Sequence, residues 1–271
     1  MLARLLGSGA VEIPPPLWQR VWSALPFLQR FAGAEPELRQ LCGRLLATKV
    51  MTGAGGLELT AEVQLTIAVQ ACLPILRLGI EWYRGWSGII VYPSEYVARR
   101  RVQDESGLVH EYEETAAGEA WEAGPVVVSW SDDAVEAGDD APAYNVIVHE
   151  FAHKLDLLNG EADGLPALDR RLHPGLGPRQ WRAVLDDALQ RFCAALDLVE
   201  LELPDDLDPD SEAADPYYAR LPLDPYAAQD EAEFFAVSSE AFFVDPGRLR
   251  DAFPQWYELL SRFYRQDPLA I

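Results

Sequence analysis

The chain is nearly devoid of lysine. Lys49 and Lys154 are the only two in 271 residues, and arginine carries almost all the positive charge, which reads as composition rather than mechanism. Acidic side chains number 44 against 22 basic ones, for a formal net charge of −22. A surface of that sign repels phosphate backbones and anionic bilayers, so neither nucleic acid nor membrane is expected as a direct partner. Cysteine is scarce too: Cys42, Cys72 and Cys193 are far apart in sequence, and no CxxC pair is present. Buried free thiols in a reducing, cytoplasmic setting are expected, and a cysteine zinc site is not. No apolar run is long enough to span a bilayer, because Gln70, Pro74 and Arg77 interrupt the stretch from Ile67 to Ile80. Met1 to Pro16 lacks the sustained apolar core of a secretory signal. Gly53-Ala54-Gly55-Gly56 is not followed by Gly-Lys-Ser/Thr and is no phosphate loop, and no EF-hand spacing or internal repeat occurs.

What the chain does carry is material for a large core, 49% hydrophobic and 10% aromatic, and one dense motif, His149-Glu150-Phe151-Ala152-His153. A helix turns about 100° per residue, so His149 and His153 lie about 40° apart on one face, one turn from each other. Two imidazoles so stacked can grip one zinc ion through neutral ring nitrogens, while Glu150, on the neighbouring edge, reaches a metal-bound water as general base. Chance alone yields roughly 0.005 such matches in a chain of this composition. Val146, Ile147, Val148, Phe151, Ala152 and Leu155 are apolar, so the helix is expected to be buried, and buried polar groups need partners. The bland alternative is two core histidines bonded to carbonyls, with Glu150 at the surface.

A catalytic zinc takes three protein ligands and keeps one position for water. Candidates for the third are His110, His173 and the downstream acids. Glu233 is preferred because it lies in an apolar helical setting that aims and shields it. Glu240, seven residues on and in the same stripe, is its rival or a partner that orients a histidine. Asp156, seven residues after His149, is a second such partner, or else a surface acid near Lys154.

Around this motif the chain reads as α+β: mostly helical, with a small antiparallel or mixed sheet packed against the zinc-binding helix. Residues 1–16 are expected to be a flexible leader. Residues 17–271 are expected to form a single domain, helical over 17–85 and catalytic over 86–271. Helices are expected over Leu17–Phe31 with a break at Pro26, from Pro36, from Ala61 to about Leu78 with Thr60 as cap, and from Pro178 to about Leu201. Tyr226–Phe243 and two closing segments from Pro246 and Pro254 also read as helices. Strands are expected over 88–93, 108–113 and 124–130, joined by turns such as Glu105-Ser106-Gly107, with an edge able to pair with an extended peptide. Residues 204–225 read as a long acidic loop.

Several segments together resemble the Mlc titration factor A family of bacterial zinc metallopeptidases. They are Leu73–Trp82, Tyr92-Pro93, Gly107–His110, Trp121–Val127, His149–Asp156, Tyr226–Ala228, Glu233–Glu240 and Phe263–Leu269. The resemblance implies a zincin-like catalytic domain similar to that of anthrax lethal factor, with one Zn2+ per chain. His149, His153 and Glu233 would be its ligands and Glu150 the base. Tyr226 would be a tyrosine that hydrogen-bonds the oxyanion, a choice over Tyr217 or Tyr218 that the residues alone do not make. It further implies aminopeptidase-like activity on short peptides and binding of a transcriptional repressor such as Mlc. Two functions are therefore expected to compete: peptide hydrolysis, or repressor sequestration with hydrolysis secondary. The loop 204–225 is longer than the family's usual connection.

Overall fold

The computed structural model describes residues 9–94, 96–103, 109–116, 118–120, 124–130, 142–204, 206–209, 211 and 213–270, with backbone alone over 96–103, over 109–116 and at 119. Its helices are α1 (Pro15–Ala24), α2 (Glu35–Thr48), α3 (Ala61–Cys72), α4 (Val146–Asp156), α5 (Pro178–Glu200), α6 (Asp215–Tyr218), α7 (Glu231–Val244), α8 (Pro246–Ala252) and α9 (Pro254–Tyr264). Its strands are β1 (Val50–Gly53), β2 (Gly88–Tyr92), β3 (Tyr96–Gln103), β4 (Val109–Ala116), β5 (Gly118–Ala120) and β6 (Val126–Ser129). Proline opens α1, α2, α5, α8 and α9, where its missing N–H leaves no bond unmade. Thr60 caps α3 by accepting from Val63 N–H at 3.2 Å, as expected, but the helix stops at Cys72 rather than near Leu78. Pro74 explains this: Leu73 still has helical backbone angles, but Pro74 supplies no N–H to continue the ladder to Gln70 O and its ring crowds the preceding turn.

The sheet departs from the antiparallel arrangement read from the turns. Its core, β1-β2-β6, is parallel throughout, and only the three-residue edge strand β5 runs antiparallel, against β6. The reason is connectivity: α3 intervenes between β1 and β2, and such long excursions return a strand in the same direction. The turn at 105–107 lies outside the described residues. The strands it joins, β3 and β4, do pair antiparallel, but as a separate two-stranded sheet. Val126, Val127 and Val128 are all buried, as befits a strand covered on both faces.

Of the expected leader, residues 1–8 lie outside the described residues. Val11 and Ile13 are buried, and Val11 N–H bonds Gly43 O at 2.8 Å. Cys42 and Cys72 are buried free thiols, whereas Cys193 on α5 is half-buried. Both lysines prove to be interior: Lys49 Nζ lies 3.7 Å and Lys154 Nζ 5.2 Å from the centre of the same Trp86 ring. Lys49 donates to the carbonyls of Tyr83 and Trp86, Lys154 to Gly124 O at 3.0 Å, and burial lowers each ammonium to about 8. The scarce lysines thus fill one structural niche around an indole. Among the described residues no helix is long and apolar enough to cross a membrane.

Candidate metal centre

Two helices make the site. Every residue of α4 is buried, and α7 is buried from Phe234 to Val244; the two pack against each other, and α4 also packs on β5 and β6. Helices enclosed on all sides must satisfy their polar groups within the protein. Asn145 starts α4, its side-chain oxygen accepting from Val148 N–H at 3.0 Å. Asp230 starts α7 by accepting from Glu233 N–H at 2.9 Å. Asp230-x-x-Glu233 has the spacing of a capping box, in which the acid at the third helical position turns back to the cap. Here the Glu233 side chain instead turns its Oε2 to the two histidines.

His149 Nε2 and His153 Nε2 are 3.0 Å apart, and Glu233 Oε2 lies 3.1 Å from the first and 3.3 Å from the second. Ligands at about 2.0–2.1 Å from a tetrahedral metal stand about 3.3–3.4 Å from one another, so the edges of this triangle come within about 0.4 Å of those such an ion requires. Among the described residues, it is the group of His, Cys, Asp or Glu able to hold a metal. His149 Nδ1 meets Glu240 Oε1 at 2.8 Å, and Glu240 Oε2 accepts from Asn145 N–H. With Nδ1 carrying the proton, the His149 Nε2 lone pair points into the triangle.

The electrostatics call for a cation. Burial opposes charge on His149, yet hydrogen bonds to Glu233 and Glu240 outweigh it and hold the imidazolium well above its ordinary range. Glu233 is raised by burial but, held by both imidazoles, ends lowered to about 2. Burial raises Glu150 to about 7, against the pull of both histidines. Glu150 Oε2 is buried and has no hydrogen-bond partner among the described residues. An orphaned carboxylate oxygen beside a nitrogen–nitrogen–oxygen triangle fits a bound metal with a water on it. The same carboxylate is roofed by β5: a Cβ at Gly118 would stand 2.3 Å from Glu150 Oε1, so only glycine lets the strand come this close.

The remaining expected residues fall as follows. Tyr226 lies on a short 3-10 turn before α7, 46% exposed, its ring 6.1 Å from that of His149. Asp156 is wholly buried, not a surface acid. Its Oδ2 accepts from Gly164 N–H at 2.8 Å rather than from a histidine ring, Oδ1 has no partner among the described residues, and burial raises it to about 7. His173 packs against Trp82 and Phe263 instead of joining the triangle, and the side chain of His110 lies outside the described residues. The reading from sequence gave no role to Asn145, Gln70 or Gly118. Asn145 had a signal, a capping residue immediately before an apolar run; Gln70 offered only a polar break in one.

Residues 6–265 match the family described as glucose-regulated metallo-peptidase M90. The chain is 37% identical to Mlc titration factor A of Klebsiella pneumoniae subsp. pneumoniae over 265 residues, 97% of this chain and 89% of the relative. It is also 37% identical to the proteins of that name from Serratia proteamaculans, over 91% of this chain and 86% of the relative, and Escherichia fergusonii, over 91% and 84%. With a metal-competent triangle in place and a match along nearly its whole length, the chain belongs to the glucose-regulated metallo-peptidase family M90.

Proposed function

We propose that this protein is a zinc-dependent peptidase of the cytoplasm with a zincin-like catalytic domain, cleaving short peptides from the amino end. His149, His153 and Glu233 would hold one Zn2+, and the observation that carries this is the triangle of their donor atoms at 3.0–3.3 Å. When bound, zinc supplies Lewis acidity, bringing the pKa of a coordinated water towards 7 and polarising the scissile carbonyl. Glu150 takes the proton from the attacking water and delivers it to the departing amine; burial keeps its pKa near 7, where it can do both. The hydroxyl of Tyr226, whose half-exposed ring lies near His149, hydrogen-bonds the carbonyl oxygen as charge develops there. Glu240 holds His149 in the ligating tautomer. Substrate backbone pairs along the edge of β5 that no strand covers among the described residues, which lies over Glu150.

The test is Glu150→Gln. Zinc should remain at one equivalent per chain while kcat falls roughly 10²–10⁴-fold, the range of a lost general base. Undiminished turnover in that variant would overturn the assignment.

The printed name of the relatives favours a second reading, in which the protein binds an Mlc-like transcriptional repressor and hydrolysis is secondary. Under it, Glu150→Gln binds that repressor with unchanged affinity by calorimetry.

A further inference from the structure

Glu240 does not stand alone behind His149. Its Oε2 accepts from the backbone N–H of Asn145, and the Asn145 side chain is committed at both ends: Oδ1 to Val148 N–H at 3.0 Å, and Nδ2 to Gln70 Oε1 at 2.7 Å. Gln70, on α3, is itself oriented, its Nε2 donating to Thr66 O at 3.2 Å. Gln70, Asn145, Glu240 and His149 are all buried. A continuous hydrogen-bonded line thus runs from α3, in the helical N-terminal region, through the first residue before α4, to α7 and back to a ligating imidazole.

Each member of this line restricts the next. With Gln70 Nε2 tied to Thr66, its Oε1 faces Asn145 and accepts only from the amide nitrogen. That fixes which way round the Asn145 amide sits, and so leaves its oxygen for the helix cap. A capped, fixed Asn145 directs its backbone N–H at Glu240 Oε2, and Glu240 Oε1 is then held against His149 Nδ1. Buried networks of this kind couple their members, since breaking any link leaves a polar group unpaired away from water. We propose that Gln70 is a positioning residue for the metal centre, acting through Asn145 and Glu240 on the orientation and tautomer of His149. This rests on the metal-binding reading above and extends it to a residue of the N-terminal helices.

The test is the zinc dissociation constant of the full-length apo-protein, by chelator competition, in a double-mutant cycle of Gln70→Met with Glu240→Gln. Methionine preserves the volume of Gln70 and removes its acceptor. Gln70→Met should weaken zinc about 10-fold, the lower end of the range for groups that support a ligand. In the Glu240→Gln background the same change should alter zinc binding less than about twofold, because the line is already cut. Asn145→Ser, which keeps a capping oxygen but loses the donor to Gln70, should match Gln70→Met and not add to it. Unchanged zinc affinity in both Gln70→Met and Asn145→Ser overturns the proposal. So does an equal loss in both backgrounds, which would make Gln70 a general support of the fold. If the wild-type chain binds no zinc, the peptidase reading falls and this one with it. If it binds zinc and both variants bind it equally well, only the positioning role falls.

Discussion

Helices α5 and α7 follow opposite rules. α5 is 23 residues long, with Trp181, Leu185, Ala188, Phe192 and Val199 buried along one stripe and its other faces given to water. α7 is 14 residues long and enclosed on every side from Phe234 onward. On α5 a polar residue needs no protein partner. On α7 each one from Glu233 onward has one: Ser238 Oγ donates to Phe235 O and accepts from Trp256 Nε1 at 2.8 Å, and Ser239 Oγ donates to Phe235 O and accepts from Tyr264 OH at 2.7 Å. Glu240 meets Asn145 and His149, and Glu233 meets both histidines. The contrast teaches where to look for chemistry. A helix with a solvent face hides its functional polar groups among many solvated ones, whereas in an enclosed helix every polar side chain is there for a stated contact.

Truncation should break the comparison most sharply. Phe235→Ala on α7 removes a ring packed among Trp181, Trp256 and Phe263 and should cost about 3–5 kcal/mol in urea unfolding. A loss under about 1 kcal/mol would mean that this interior can collapse around the void.

Asp156, at the end of the equally enclosed α4, adds a pH signature. Its folded pKa of about 7 lies above the ordinary 3.8, so the proton is held more tightly when folded. Its contribution to stability is full below about pH 4 and is lost as pH rises to about 7. Asp156→Asn keeps an acceptor for Gly164 and cannot ionise. Relative to wild type, the variant should therefore gain stability across that window, by up to about 4 kcal/mol. A difference that is flat with pH would show that Asp156 is ionised throughout.

Glu240→Gln tests the polar contacts of α7 directly. Apparent metal affinity should fall roughly 10–100-fold with the melting temperature little changed, the scale for a group that orients a ligating imidazole. The smallest effect belongs to the solvent side of α5: Leu201, just past its end and 81% exposed, should tolerate serine within about 0.5 kcal/mol.

Much of α5 was readable because its apolar residues repeat at helical spacing, and its bounds came within a residue. α7 was not so sharply readable. Its apolar residues cover the whole circumference, so spacing could not tell which face met the site or that the segment begins at Glu231 after a separate 3-10 turn. The strands β2 and β6 showed themselves as short β-branched runs, while β1, with Val50 exposed on the sheet edge, and the three-residue β5 did not.

By itself the sequence determined the pairing of His149 with His153 and the place of Glu150 beside them, because helix geometry acts over one turn and needs no knowledge of the rest. It also determined the caps at Thr60 and the proline-opened helices, for the same reason. Which distant acid closes the triangle, which one holds His149, and that Asp156 turns to Gly164 instead were decided only when α7 packed on α4. So were the parallel sheet core and the link from Gln70. Such contacts depend on how enclosed surfaces fit together across many tens of residues, and no local pattern in the chain encodes that fit.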